Sequence, residues 1–189
     1  MTALSKQDIA WLADDYEVDD TWCLTFIEGV DEHEALARFG VPAASVRSMT
    51  FAELMRDGLF PDTVLAARIG DWAVLLEVHG EECLGAIEEL SAGTRAVSVV
   101  RNDNASEAFA YARDGSVVTG FDPDASSSSR WGSDPDHLLP LMEQAGFPVG
   151  PGDSAAERGE PLLLAASITG VMLTREILER PLPAGARPW

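Results

Sequence analysis

The chain has 189 residues, 46% of them apolar, with five Trp and seven Phe, a composition suited to one folded domain rather than a disordered acidic tail. Its 32 Asp and Glu against 13 Lys and Arg give a formal charge of −19, which argues against direct binding to nucleic-acid phosphates. No apolar run reaches the roughly 20 residues that span a bilayer, the N-terminal MTALSKQDIAWLADD lacks a signal-peptide pattern, and Cys23 and Cys83 are too few for a disulfide framework, so both read as reduced, partly buried thiols of a cytoplasmic protein.

In chain order, Ser5 with Asp8 predicts a capped helix over 6–14. Asp14, Asp15, Glu17, Asp19 and Asp20 follow, broken by Tyr16 and Val18; five like charges in seven residues favour an extended, solvated segment. Trp22 to Ile27 alternates as a strand. Asp31 with Glu34 opens a helix over 32–39 that Gly40 and Pro42 close, and Thr50 with Glu53 opens one over 51–57 that Gly58 closes. Strands at 64–69 and 72–79 flank Gly70-Asp71, whose glycine can take the positive φ of a II′ turn. In the second of these, Trp72, Val74, Leu76 and Val78 share one face and Ala73, Leu75, Glu77 and His79 the other.

A helix over 82–91 and a strand over 95–101 come next. Strands at 107–113 and 116–121 then flank Asp114-Gly115, a strong I′ hairpin signal. Residues 122–130 read as a polar loop. Ser133, Pro135 and Asp136 open a helix over 135–145. Residues 148–160 read as a flexible linker, 161–169 as a helix ended by Gly170, and a last helix runs from its cap at Thr174 to Pro181. Residues 183–189 read as a loose tail. Consecutive hairpins with helices in blocks between them give the α+β class, with an antiparallel or mixed sheet of about five to six strands. The core domain then covers 1–147, and 161–182 form a two-helix C-terminal extension packing on it.

The stretches GDWAVLLEVHG (70–80), LSAGTRAVSVVRNDNA (90–105), FAYARDGSVVTGFDP (109–123), RWGSDPDHLLPLMEQAG (130–146) and ASITGVMLTREILERPL (166–182) carry a resemblance. Through them the chain resembles one of the uncharacterised single-domain families of filamentous actinobacteria, over roughly residues 20–182. That resemblance implies one cytoplasmic bacterial domain and carries over no catalytic residue.

Motifs for chemistry are sparse. There is no G-x-S-x-G nucleophile turn and no phosphate-cradling glycine loop. His79-x-x-x-Cys83 is the only local zinc-like pair, and Asp122, Asp124, Ser126 and Ser128 start a calcium-loop pattern that Ser127 and Ser133 break. Glu77 and His79, two apart on one strand face, could form an acid–base pair but fit an ordinary surface ion pair better. No catalytic, metal or cofactor site is expected.

Charge is unevenly spread, −14 over residues 1–90 and −5 over 91–189. This favours a non-enzymatic acidic protein-binding domain, of the immunity or adaptor kind, that engages a basic protein partner. Asp14, Asp15, Glu17, Asp19 and Asp20 would steer that partner, with Tyr16 and Trp22 as apolar anchors. Two alternatives stay open. One is a DNA mimic that inhibits a nucleic-acid-binding protein; the other is a small-molecule binding domain or enzyme whose pocket Glu77 and His79 would line.

Overall fold

WAVLLEV, residues 72–78, is apolar at every position but one, and a strand apolar on both faces must be covered on both. A computed structural model describes residues 21–57, 63–102, 107–150 and 160–188 and shows that arrangement. One antiparallel sheet lies between two layers of helices. Its elements are β1 (Trp22–Glu28), α1 (Glu32–Phe39), β2 (Arg47–Met49), α2 (Phe51–Asp57), β3 (Thr63–Ile69), β4 (Trp72–Val78), α3 (Glu82–Gly85), α4 (Ile87–Leu90), β5 (Arg95–Arg101), β6 (Glu107–Arg113), β7 (Ser116–Phe121), α5 (Leu139–Gln144), α6 (Pro161–Thr169), α7 (Arg175–Leu178) and β8 (Leu182–Ala186). The strand order is β2-β8-β3-β4-β1-β5-β6-β7.

The fold is α+β as expected, but the sheet has eight strands, not five to six. Both additions were silent in the sequence. β2 is three residues long, too short to show alternation. β8 replaces the expected loose tail: LPAGA pairs with β2 on one side and with β3 on the other. Pro183 is tolerated there because it lies opposite Ser48 of β2, beyond the residues that pair with β3, so it has a strand on one side only.

Two helices also differ from expectation. The helix expected over 82–91 is broken at Ala86 into α3 and α4, just after Gly85, a poor helix former. The one expected from 135 starts at Leu139, because the N–H groups of Ser133 and Asp134 still donate to the carbonyls of Val117 and Val118 on β7. The expected helix over 6–14 and the acidic residues 14–20 lie outside the described residues.

Local signals were obeyed elsewhere. Asp31 accepts from the N–H of Glu34 at 2.8 Å and Gly40 ends α1 in the left-handed region. The Thr50–Glu53 box closes reciprocally, Thr50 N–H to Glu53 Oε2 at 2.8 Å and Glu53 N–H to Thr50 Oγ1 at 3.3 Å. Asp114 and Gly115 both take positive φ, 52° and 80°, in the hairpin between β6 and β7.

The two sheet faces bury different residues. Trp22, Leu24 and Phe26 join Trp72, Val74, Leu76, Val97, Val99, Phe109, Tyr111 and Phe121 on one, which α2, α5, α6 and α7 help to cover. Leu162, Leu164 and Ala165 of α6 are part of this core, so α6 packs directly on the aromatic face of the sheet. On the other face, α1, α3 and α4 cover Cys23, Ile27, Ala66, Ala73, Leu75, Ala96, Ala110 and Ala112.

Candidate functional site

Of the residues expected to bind a partner, Asp14, Asp15, Tyr16, Glu17, Asp19 and Asp20 lie outside the described residues. Trp22 is described, and it opens β1 at 5% exposure within the aromatic core. Its place in an alternating strand sends its ring inward with Leu24 and Phe26, so it serves the core.

The face under α1, α3 and α4 is built differently. Beneath it Cys23, Thr25 and Ser98 are buried together, with Thr25 Oγ1 2.9 Å from Ser98 Oγ and Cys23 Sγ 3.4 Å from the same oxygen. Glu77, directly opposite Cys23 in the strand register, is the one acid within β4 and is 3% exposed. Its Oε1 accepts the N–H of Glu82 at 3.2 Å and its Oε2 the N–H of Cys83 at 3.0 Å. Gly80 makes this possible, since a Cβ there would stand 2.8 Å from the Glu77 carboxyl carbon. His79, between them, has φ 62°, left-handed backbone that a non-glycine residue rarely adopts.

Glu77 and His79 therefore do not share a strand face. The chain leaves β4 after Val78, Glu77 points inward, and His79 is exposed on the turn. Burial pushes the Glu77 carboxyl above its usual range, against the two N–H bonds that favour its ionised form. Burial also pushes the Cys83 thiol well up, with Cys23 and Glu77 adding to the shift. Both cysteines are free and fully buried, and a thiol held protonated in this way is a poor nucleophile.

At the edge of this face a cleft of about 400 Å³ opens, with Phe39, Val64, Glu77, Glu82, Arg187 and Pro188 among its walls. The Arg187 guanidinium lies over the Phe39 ring, 5.8 Å from its centroid.

The outer surface of the same layer is acidic. Asp31, Glu34, Glu81, Glu82, Glu88 and Glu89 are exposed along α1, α3, α4 and their N-terminal flanks, and Glu32 is half-buried. Arg38 is the only Lys or Arg in these three helices, and it is already engaged. It pairs with Glu34 at 2.9 Å and donates to the carbonyls of Leu90 and Ala92 at 3.2 and 2.8 Å, tying α1 to the end of α4.

Trp131, 52% exposed, is the one exposed large hydrophobic among the described residues. It forms a two-bond bridge with Gly120 of β7, and its indole lies where a Cβ on Gly120 would come within 2.8 Å of its ring nitrogen. Gly120 pairs with Ala110, whose side chain points to the α1–α3–α4 face, so the indole flanks that face at its β7 margin. The sequence reading passed over Trp131; the signal was a tryptophan in a polar loop after a hairpin strand containing a glycine.

The calcium-loop residues are committed locally. Asp122 Oδ1 accepts the N–H of Asp124 at 2.8 Å, and buried Ser126 donates to the carbonyl of Pro148 at 2.8 Å. Among the described residues no cluster of three or more His, Cys, Asp or Glu is placed to hold a metal ion, and no helix is long and apolar enough to cross a membrane.

Compared with known proteins, the chain matches the model of a family of unknown function over residues 2–181. No curated protein and no solved structure matches it.

Proposed function

The chain therefore belongs to that family, DUF6461, and on this premise we propose that it is a non-enzymatic, cytoplasmic protein-binding domain, of the immunity or adaptor kind, that engages a basic protein. The observation that carries this reading is a coincidence on one face. Exposed carboxylates of α1, α3 and α4 share that face with Trp131 at its β7 margin, with no free Lys or Arg in those helices to offset them. Carboxylates supply long-range steering, and a large exposed aromatic supplies the desolvated contact that sets residence time. Asp14, Asp15, Tyr16, Glu17, Asp19 and Asp20 would add to the same attraction; the anchor passes from Trp22 to Trp131.

The test begins with capture of the partner from the host at low salt and continues with association kinetics. The association rate should fall at least about tenfold between about 50 mM and about 500 mM salt, as expected for steered encounter. Combining Glu32→Lys, Glu81→Lys and Glu89→Lys should slow association, and Trp131→Ala should mainly speed dissociation. A partner that associates equally fast at both salt concentrations, or that binds the charge-reversed variant as well as the wild type, overturns the reading.

A further inference from the structure

We propose that the cleft beside Glu77 binds a small zwitterion, a molecule of the amino-acid class with an ammonium and a carboxylate on an apolar body. Three kinds of wall meet there. Glu77 supplies a buried carboxylate that accepts the N–H groups of Glu82 and Cys83 and the Cys83 thiol, and a carboxylate, with about four acceptor positions, keeps capacity for a ligand cation. The carboxylate is held in place from above by Gly80, where a side chain would collide with it. Glu82, exposed, adds a second negative group. Opposite in sign stands Arg187, whose guanidinium carbon lies over the Phe39 ring.

A guanidinium presents its N–H donors as a planar fork, the geometry that grips a carboxylate. Among the described residues Arg187 forms no ion pair, although two carboxylates line the same cleft. Phe39, Val64 and Pro188 provide apolar surface, and about 400 Å³ suits a small ligand. A purely cationic ligand would meet Arg187, and a purely anionic one would meet Glu77 and Glu82. A molecule carrying both charges satisfies both sides.

The experiment needs no protein partner, so its outcome is separate from that of the acidic-face reading. L-norleucine and L-phenylalanine would be titrated to about 20 mM, a range that reaches millimolar affinities, while amide resonances are followed by two-dimensional NMR. Pentylamine and hexanoate, which are norleucine without its carboxylate and without its amine, serve as controls. Saturable shifts of the Gly80 and Gly85 amides are expected with at least one amino acid and with neither control. Arg187→Ala, at an exposed position, should weaken that binding at least about tenfold while leaving the rest of the spectrum unchanged. Arg187→Lys should restore part of it, and Glu77→Gln should weaken it as well. No saturable shift with either amino acid, equal shifts from pentylamine or hexanoate, or unchanged affinity in Arg187→Ala would overturn the proposal.

Discussion

On one face of the sheet Phe109 stacks on Phe121 with ring centroids 5.0 Å apart, Phe147 meets Phe121 edge-on at 5.3 Å, and Trp22, Phe26, Trp72 and Tyr111 fill in around them. On the other, five alanines of the strands lie under three short helices, and Cys23, Thr25, Glu77 and Ser98 interrupt the apolar surface. Large rings bury the most area per residue and dominate core energetics. Small side chains leave space for polar groups and let short helices lie close to the strands. The large rings are thus concentrated on one face, while the cleft, the exposed acids and Trp131, which carry the proposed recognition, are all on the alanine-rich side.

The largest expected effect falls on the aromatic face. Phe109→Ala should cost about 3–5 kcal/mol in urea denaturation. A loss below about 1 kcal/mol would show that the ring cluster is not what holds that face.

Gly80→Ala comes next. The added methyl must displace the Glu77 carboxylate, an overpacking that should cost about 1–3 kcal/mol, and the chemical shifts of the Glu82 and Cys83 amides should move with it. If those amides stay in place, Gly80 is not what seats the carboxylate. Asp31→Ala removes the cap of α1 and should cost about 1 kcal/mol, read as a lower melting temperature; a melting temperature equal to the wild type's would show that packing alone holds that helix.

The smallest effects are pH effects, and they run in opposite directions on the two faces. Glu28, at the margin of the aromatic face, is gripped by two nitrogens of Arg95, which itself lies 5.7 Å over the Trp72 ring. The Arg95 hydrogen bonds hold the Glu28 carboxyl below its ordinary value of 4.5, against a smaller opposing effect of burial. Its contribution is therefore present above pH 4.5 and is lost as the pH falls through the lowered value. Because the pair is partly exposed, Glu28→Gln should cost at most about 1 kcal/mol at neutral pH, and the gap to the wild type should close in acid. Glu77, raised by burial, behaves oppositely: its contribution is full below pH 4.5 and declines as the pH rises through the raised value. Stability measured against pH for Glu77→Gln and wild type should diverge accordingly, and parallel curves would show that Glu77 does not titrate differently in the folded chain.

Much of the architecture was legible because the local signals were strong. Asp114-Gly115 and Gly70-Asp71 placed two hairpins, and the capping pairs at Asp31 and Thr50 placed two helices to the residue. β8 was hidden for a physical reason. Leu-Pro-Ala-Gly-Ala has no β-branched or aromatic residue, so its strand conformation comes wholly from the neighbours that accept it. The cleft was half legible. A single acid inside an apolar strand marked Glu77, but Arg187, which lines the same cleft, sits in the segment that read as a loose tail, and no spacing rule connects them. Trp22 illustrates the reverse error, since nearness to acidic residues in sequence says nothing about which way a strand side chain points.

The position of β8 also bears on how the protein is made. It lies inside the sheet, between β2 and β3, although it is the last described strand in the chain. During synthesis from the N-terminus, β3 emerges early and must wait with one flank unpaired until residues 182–186 leave the ribosome. For that interval the nascent chain carries an open strand edge of the kind that invites pairing with other chains. Completion of the sheet is thus coupled to the emergence of residues 182–186, and a chain cut short before Leu182 would keep that edge permanently open.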